Sequence, residues 1–228
     1  MGIKSQTTII DEVNEFNNEK PSLLKFMINP VAEIRLINKN PLIIKPLLTI
    51  LFVQVLLISI VSYVLTDNSQ VNAIVNDLQT TPQRLKVVIS FLSGLISVFN
   101  SLFIIILIAI FFKICSIFFQ KDVLFKKIFS LIVFTQVTSI VGICLNFLIA
   151  IMLDTDFKLY TNLAFLFEED TVIYNVFASI DLFYILNFVF IGLGMCIIVE
   201  LTKKQTILLM LILFALNIGA SIFFQNLL

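Results

Sequence analysis

The chain has 228 residues, of which 59% are hydrophobic and only 13% charged. A soluble domain carries about 25% charged residues, and the mean hydropathy of +1.06 agrees with a polytopic membrane protein. Fifteen Lys/Arg balance fifteen Asp/Glu, and His and Trp are absent; this argues against nucleic acid as a partner and removes the commonest general base and zinc ligand.

Residues 1–20 are polar and are expected to be disordered. With Asp11, Glu12, Glu15 and Glu19, this segment does not read as a cleavable signal peptide. Residues 21–45 differ. Pro21, Pro30, Pro41 and Pro46 punctuate short helical stretches, and Asn29-Pro30 reads as an N-cap followed by proline at the first helical position. Val31, Ile34 and Ile37 recur at three-residue spacing. The expectation is a cytoplasmic interfacial helix with its apolar face in the lipid boundary and Lys25, Arg35, Lys39 and Lys45 toward anionic head groups. The alternative is a linker packed under the bundle.

A membrane helix needs roughly 20 apolar residues, because the hydrocarbon layer is about 30 Å thick and each residue rises about 1.5 Å. Five stretches qualify, at about 46–65, 87–112, 128–153, 175–199 and 206–224. They are continuous rather than alternating, which points to helices and away from a barrel. The predicted fold is therefore all-α, a five-span transmembrane bundle over residues 46–228. Beyond the second span the apolar character continues to Phe119, and Lys113 is expected to snorkel at the interface.

Basic residues on short loops set orientation. Lys4, Lys20, Lys25, Arg35, Lys39, Lys45, Lys113, Lys121, Lys126, Lys127, Lys203 and Lys204 fall on one side; only Arg84, Lys86 and Lys158 fall on the other. The N-terminus is expected in the cytoplasm and the C-terminus outside. The outer loops run Thr66 to Lys86 and Asp154 to Tyr174, and the apolar run 163–167 predicts a re-entrant or surface-lying helix.

None of these segments holds a nucleotide-binding fold, a Walker loop, GxGxxG or GxSxG. No Ser/His, His–metal or paired-acid constellation points to an enzyme, and no cofactor is implied. Cys115, Cys144 and Cys196 lack metal or disulfide spacing.

The residue with the strongest functional signal is Asp181, the one carboxylate well inside a predicted span, about two turns in. An acid there costs several kcal/mol unless paired or hydrated. The favoured reading pairs it with a hydroxyl or a basic residue, Arg84 or Lys86; a proton- or substrate-linked role and simple snorkelling to the outer surface are the alternatives. Asn100, Asn146, Asn187 and Asn217 lie one each in spans two to five, with Gln54 in span one. They read as inter-helix glue rather than a pathway, because no second acid and no intramembrane base accompany them. Ser90/Gly94, Thr138/Gly142 and Ala215/Gly219 have small-xxx-small spacing, and Gly192 and Gly194 thin the fourth span.

The stretch Ser179-Ile180-Asp181-Leu182-Phe183-Tyr184-Ile185-Leu186, followed by Phe190-Ile191-Gly192-Leu193-Gly194, resembles the Yip family of Ypt/Rab-interacting membrane proteins, in its bacterial branch. Members often show an aspartate and phenylalanine near the start of the fourth span, Asp181 and Phe183 here, and a glycine about ten residues on, Gly192 here. Phe26-Met27-Ile28-Asn29-Pro30, with Pro41 and Pro46, resembles the family's juxtamembrane opening, so the likeness covers roughly residues 22–226. Span three has Gln136-Val137-Thr138-Ser139 where a proline is frequent, and Tyr184 or Leu186 stands near the usual tryptophan. The resemblance implies membrane scaffolding in a bacterial cell membrane, without catalysis. By analogy with YknW-type members, it also implies an accessory role for an efflux ABC transporter in export or antimicrobial-peptide resistance. A small transporter or channel using Asp181 and the amides, and a lipid-organising protein, are the competing readings; the lipid bilayer, other membrane proteins and a second copy are the expected partners.

Overall fold

The computed structural model describes residues 19–65, 81–153, 160–164 and 180–225, with residues 167, 171, 174 and 177. The polar segment 1–18, most of the first outer loop and the last three residues lie outside the described residues, as does Lys158.

Among the described residues seven helices are defined: α1 Leu23–Ile28, α2 Pro30–Lys39, α3 Ile44–Leu65, α4 Pro82–Phe118, α5 Phe125–Leu153, α6 Leu182–Ile198 and α7 Lys203–Gln225. Among the described residues there is no strand, only an isolated antiparallel bridge between Asn162 and Asp181. The all-helical expectation holds. Among the described residues three helices, α3, α4 and α5, are long and apolar enough to cross a membrane; α6 is apolar but has 17 residues.

Asn29 caps α2 as its sequence predicts. Its side chain accepts the Ala32 N–H at 3.3 Å, with Pro30 in the first helical position. The orientation of α2 corrects the interfacial reading. Ile34 and Ile37 are fully buried in the same core as Met195 and Ile198, and α2 lies against α6 and α5. The apolar stripe thus faces protein, as the alternative had it, and Val31 alone of the three is exposed. Phe26 on α1 enters that core too, its ring 5.8 Å from Phe134 and edge-on to Phe190 at 5.4 Å. Glu33 is buried beneath, where its carboxylate accepts the Ser22 N–H at 2.7 Å and so ties α2 to the start of α1.

Two further links latch this segment onto the bundle. Ser130 Oγ donates to the Leu42 carbonyl at 2.6 Å, and Lys127 Nζ donates to Asn38 Oδ1 at 2.8 Å.

The predicted second span is one uninterrupted helix of 37 residues, roughly 55 Å long at 1.5 Å per residue. It passes through Lys113 without a break. That side chain reaches across the following turn and donates to the Val123 carbonyl at 2.6 Å, so it is used inside the protein. Gln120 ends the helix with φ 56°, and the Lys121 N–H returns to the Ser116 carbonyl at 2.8 Å. This is a Schellman-type stop made without glycine.

Helix α5 is the hub. Its buried positions include Ser130, Phe134, Thr138, Gly142, Asn146 and Ala150, each four residues from the last. That spacing draws one stripe along an α-helix. The stripe is small or polar at most positions, which lets neighbouring backbones come close. Helices α3 and α4 pair most extensively with each other and meet α5 at their inner faces.

Candidate functional site

The predicted span from Asn175 starts later than expected. Helix α6 begins at Leu182, and Asp181 is its N-cap rather than a residue two turns inside. Its carboxylate accepts the Tyr184 N–H at 2.6 Å, satisfying one of the unpaired donors of the helix start. A carboxylate here is also favoured by the positive end of the helix dipole.

The other carboxylate oxygen accepts the Thr161 hydroxyl at 3.0 Å. The hydroxyl member of the predicted pairing is therefore present, from Thr161. Among the described residues no ion pair joins Asp181 to Arg84 or Lys86. Lys86 instead lies over the Tyr63 ring at 5.3 Å.

Thr161 completes a small closed network. Its hydroxyl proton goes to Asp181, and its oxygen accepts Asn146 Nδ2 at 3.0 Å. Its backbone N–H donates to Asn146 Oδ1 at 3.1 Å, and its carbonyl accepts the Leu182 N–H at 3.2 Å. Asn146 Nδ2 also donates to the Gly142 carbonyl at 2.9 Å. One segment, 160–164, is thereby clamped between the end of α5 and the start of α6. It forms a turn and the Asn162–Asp181 bridge, and at Ala164 the backbone turns helical, with the Phe167 N–H donating to the Ala164 carbonyl at 2.9 Å; residues 165 and 166 of the predicted surface-lying helix lie outside the described residues.

About two turns further along α6, Asn187 repeats the device. Its Nδ2 donates to the Thr135 carbonyl at 2.9 Å and to Thr138 Oγ1 at 3.1 Å, both on α5. Between the two polar levels, Phe183 lies against Gly142. A Cβ at Gly142 would come within 2.9 Å of the Phe183 ring. Gly194 makes the same allowance for Leu131. Asp181, Asn146, Asn187, Phe183 and Gly142 thus form one polar seam between α5 and α6.

The remaining sequence candidates are not part of it. Gln54 joins α3 to α4, donating to Ser101 Oγ at 2.6 Å and to the Ser97 carbonyl at 3.2 Å. Near that bond Gly94 admits Ser59 and the Val55 carbonyl. Gly192 lines an apolar groove of about 350 Å³ with Phe188, Met210 and Phe214, between α6 and α7. Asn100 and Asn217 are on exposed faces of α4 and α7. Lys25, Arg35, Lys39 and Lys45 are all exposed, with Lys25 3.5 Å from Glu19.

The three cysteines are free and half-buried, and Cys196 Sγ lies 3.2 Å from Thr206 Oγ1. Among the described residues no group of three His, Cys, Asp or Glu side chains could hold a metal ion.

Thr161 is the residue that sequence reasoning missed. Nothing in its surroundings is periodic, and it meets Asp181 from twenty residues away. The four-residue stripe on α5 is regular in the sequence, but residue type alone marks only its Thr138/Gly142 step and Asn146.

The chemistry of the seam is self-satisfying. Each donor of the Asn146–Thr161–Asp181 set finds an acceptor inside it or on adjacent backbone, which is what holds helices together in a medium without water.

Comparison with curated proteins and with solved structures returned no match. A family model described as the Yip1 domain matches residues 24–224. With three helices among the described residues able to cross a membrane and the Asp181, Phe183 and Gly192 positions in one helix and its cap, the chain belongs to the Yip family of membrane proteins.

Proposed function

We propose that this protein is a non-catalytic scaffold of the bacterial cell membrane that binds other membrane proteins through the outer face of α4. Five helices, α3 to α7, cross the bilayer, with the N-terminus in the cytoplasm and the C-terminus outside. The lysine-rich ends support that orientation: Lys113, Lys121, Lys126, Lys127, Lys203 and Lys204 fall at or beside the end of α4, the start of α5 and the start of α7, and Lys127 bonds Asn38 on α2. Helix α6, at 17 residues, is roughly 26 Å long, which puts Asp181 at the membrane edge.

The observation that carries the scaffold reading is Asn100. Leu92, Ile96, Phe99, Phe103, Leu107 and Ile110 form an exposed stripe along α4. Asn100 lies in that stripe, halfway along the apolar run Val87 to Phe112, and makes no hydrogen bond among the described residues. An amide left unpaired in hydrocarbon costs several kcal/mol, and a hydrogen bond to a partner helix relieves that cost. The partner is another polytopic membrane protein, and an efflux ABC transporter subunit is the first to test. The closed network at Asp181 gives less support to a transporter, which needs that carboxylate open to water or substrate.

A photocrosslinking residue at Phe103, in the full-length protein in native membranes, tests the proposal. A discrete crosslink to one membrane protein is expected, lost in Asn100→Leu and kept in Asn217→Leu. Recovery of the uncrosslinked chain alone, or a crosslink indifferent to Asn100, would reject it.

A further inference from the structure

A second site lies at the junction of the N-terminal helices with α3. Lys20, Pro21, Ser22, Leu23, Leu24 and Lys45 are among the residues around a groove of about 380 Å³, floored further along by Leu42 and Pro46. Three features of it converge. The groove is apolar along most of its wall, with positive charge at two points. Among the described residues the one ion pair, Lys25 with Glu19, leaves the Lys20 and Lys45 ammoniums without an acidic partner. The groove also opens where α3 begins its apolar run at Ile44.

The surroundings fit a lipid contact. Helix α1 turns Phe26 into the core while Leu24 and Ile28 stay 81% and 85% exposed. On α3, the neighbouring Ile44 and Leu48 are exposed as well. Four large apolar side chains are thus exposed on the two helices that flank the groove, whose two cations have no acidic partner among the described residues. Water is a poor neighbour for the former, and an apolar phase alone is a poor neighbour for the latter. The boundary between acyl chains and phosphate groups accommodates both, as amphipathic interfacial segments do.

We propose that this groove binds one anionic phospholipid, with its phosphate between the Lys20 and Lys45 ammoniums and the first part of an acyl chain along Leu24, Leu42 and Pro46. Charge complementarity selects the occupant: two uncompensated cations favour an anionic head group over a zwitterionic one, and the apolar floor favours a lipid over a free phosphate. The site shares with the scaffold reading only the membrane placement of α3. It also separates two lysines from the rest of the basic segment: Lys25, which pairs with Glu19, Arg35 and Lys39 are not among the groove's residues.

The test uses the full-length protein in mild detergent, loaded with equal amounts of phosphatidylglycerol and phosphatidylcholine and examined by native mass spectrometry. Wild type is expected to retain phosphatidylglycerol preferentially. The Lys20→Gln/Lys45→Gln variant should lose apparent affinity for it by roughly thirtyfold, given the attraction of each lysine near an anionic surface. Lys25→Gln/Lys39→Gln, with the same change in charge, should leave it intact, and Lys20→Arg/Lys45→Arg should restore most of it. Leu24→Asn should weaken retention without altering charge. Glycerol phosphate should not displace the lipid at matched concentration. Equal loss in the Lys25/Lys39 variant would reduce the effect to diffuse surface charge and overturn the proposal. Wild-type retention of both lipids alike, or displacement by glycerol phosphate, would overturn it too.

Discussion

The α5–α6 seam and the α3–α4 pair are both helix contacts made through small residues, but they end in opposite situations. In the most apolar stretch of α5, 50% of the residues are buried, against 11% in that of α3 and 17% in that of α4. Yet the stretch in α5 has the lowest mean hydropathy of the three, 2.2 compared with 2.5 and 2.8. The more polar stretch is the more enclosed one. In lipid there is little gain in hiding leucine from an equally apolar solvent, so packing and hydrogen bonding decide which face turns inward. Helix α5 supplies both along its Ser130–Ala150 stripe and receives α1, α2 and α6 in return. Helix α4 spends its small residues on α3 and leaves a bulky stripe, with Asn100 in it, facing out.

The comparison can be broken most sharply at its tightest point. Gly142→Leu forces a side chain into the Phe183 ring and should cost about 1–3 kcal/mol or more through overpacking. Gly219→Leu, where nothing lies within 4 Å, should be tolerated. Thermal unfolding in detergent compares the two, and equal losses would show that the seam is not the tight contact described.

The clamp at the end of the seam comes next. Asp181→Ala removes a helix cap and a charge-assisted bond to Thr161, a loss of about 1–2 kcal/mol. Asp181→Asn keeps a good capping side chain and should lose clearly less. Similar losses for both variants would move the importance of Asp181 from capping to charge.

Asn187→Leu removes the bonds to Thr135 and Thr138 and should destabilise by about 0.6–2 kcal/mol, with Thr138 still bonded to the Thr135 carbonyl. The smallest effect on the isolated chain is expected for Asn100→Leu: unfolding unchanged or slightly raised, because an unpaired amide leaves an apolar face. A drop comparable to that of Asn187→Leu would mean that Asn100 is bonded within the chain.

Much of the site was legible as residue types. Asp181, Asn146 and Asn187 are polar groups in an apolar background, and such groups find partners because hydrocarbon offers none. Their partners were less legible. The exact start of α6 decided whether Asp181 stood inside a span or at its cap, and apolar runs do not mark starts to within two turns. The Val31–Ile34–Ile37 stripe was correctly helical, but periodicity shows that a face is apolar without showing whether lipid or protein covers it. The buried Ile34 and Ile37 answer that, together with Ser130 holding the Leu42 carbonyl.

By itself the sequence determined that this is a helical membrane protein of the Yip type, with its lysines gathered toward one set of helix ends. Those properties follow from composition, run length and short motifs, which are local. Only the tertiary structure decided which helix is central, which apolar faces stay open, and that Thr161 closes the network on Asp181. These depend on side chains that are far apart in the chain and meet only when the helices pack.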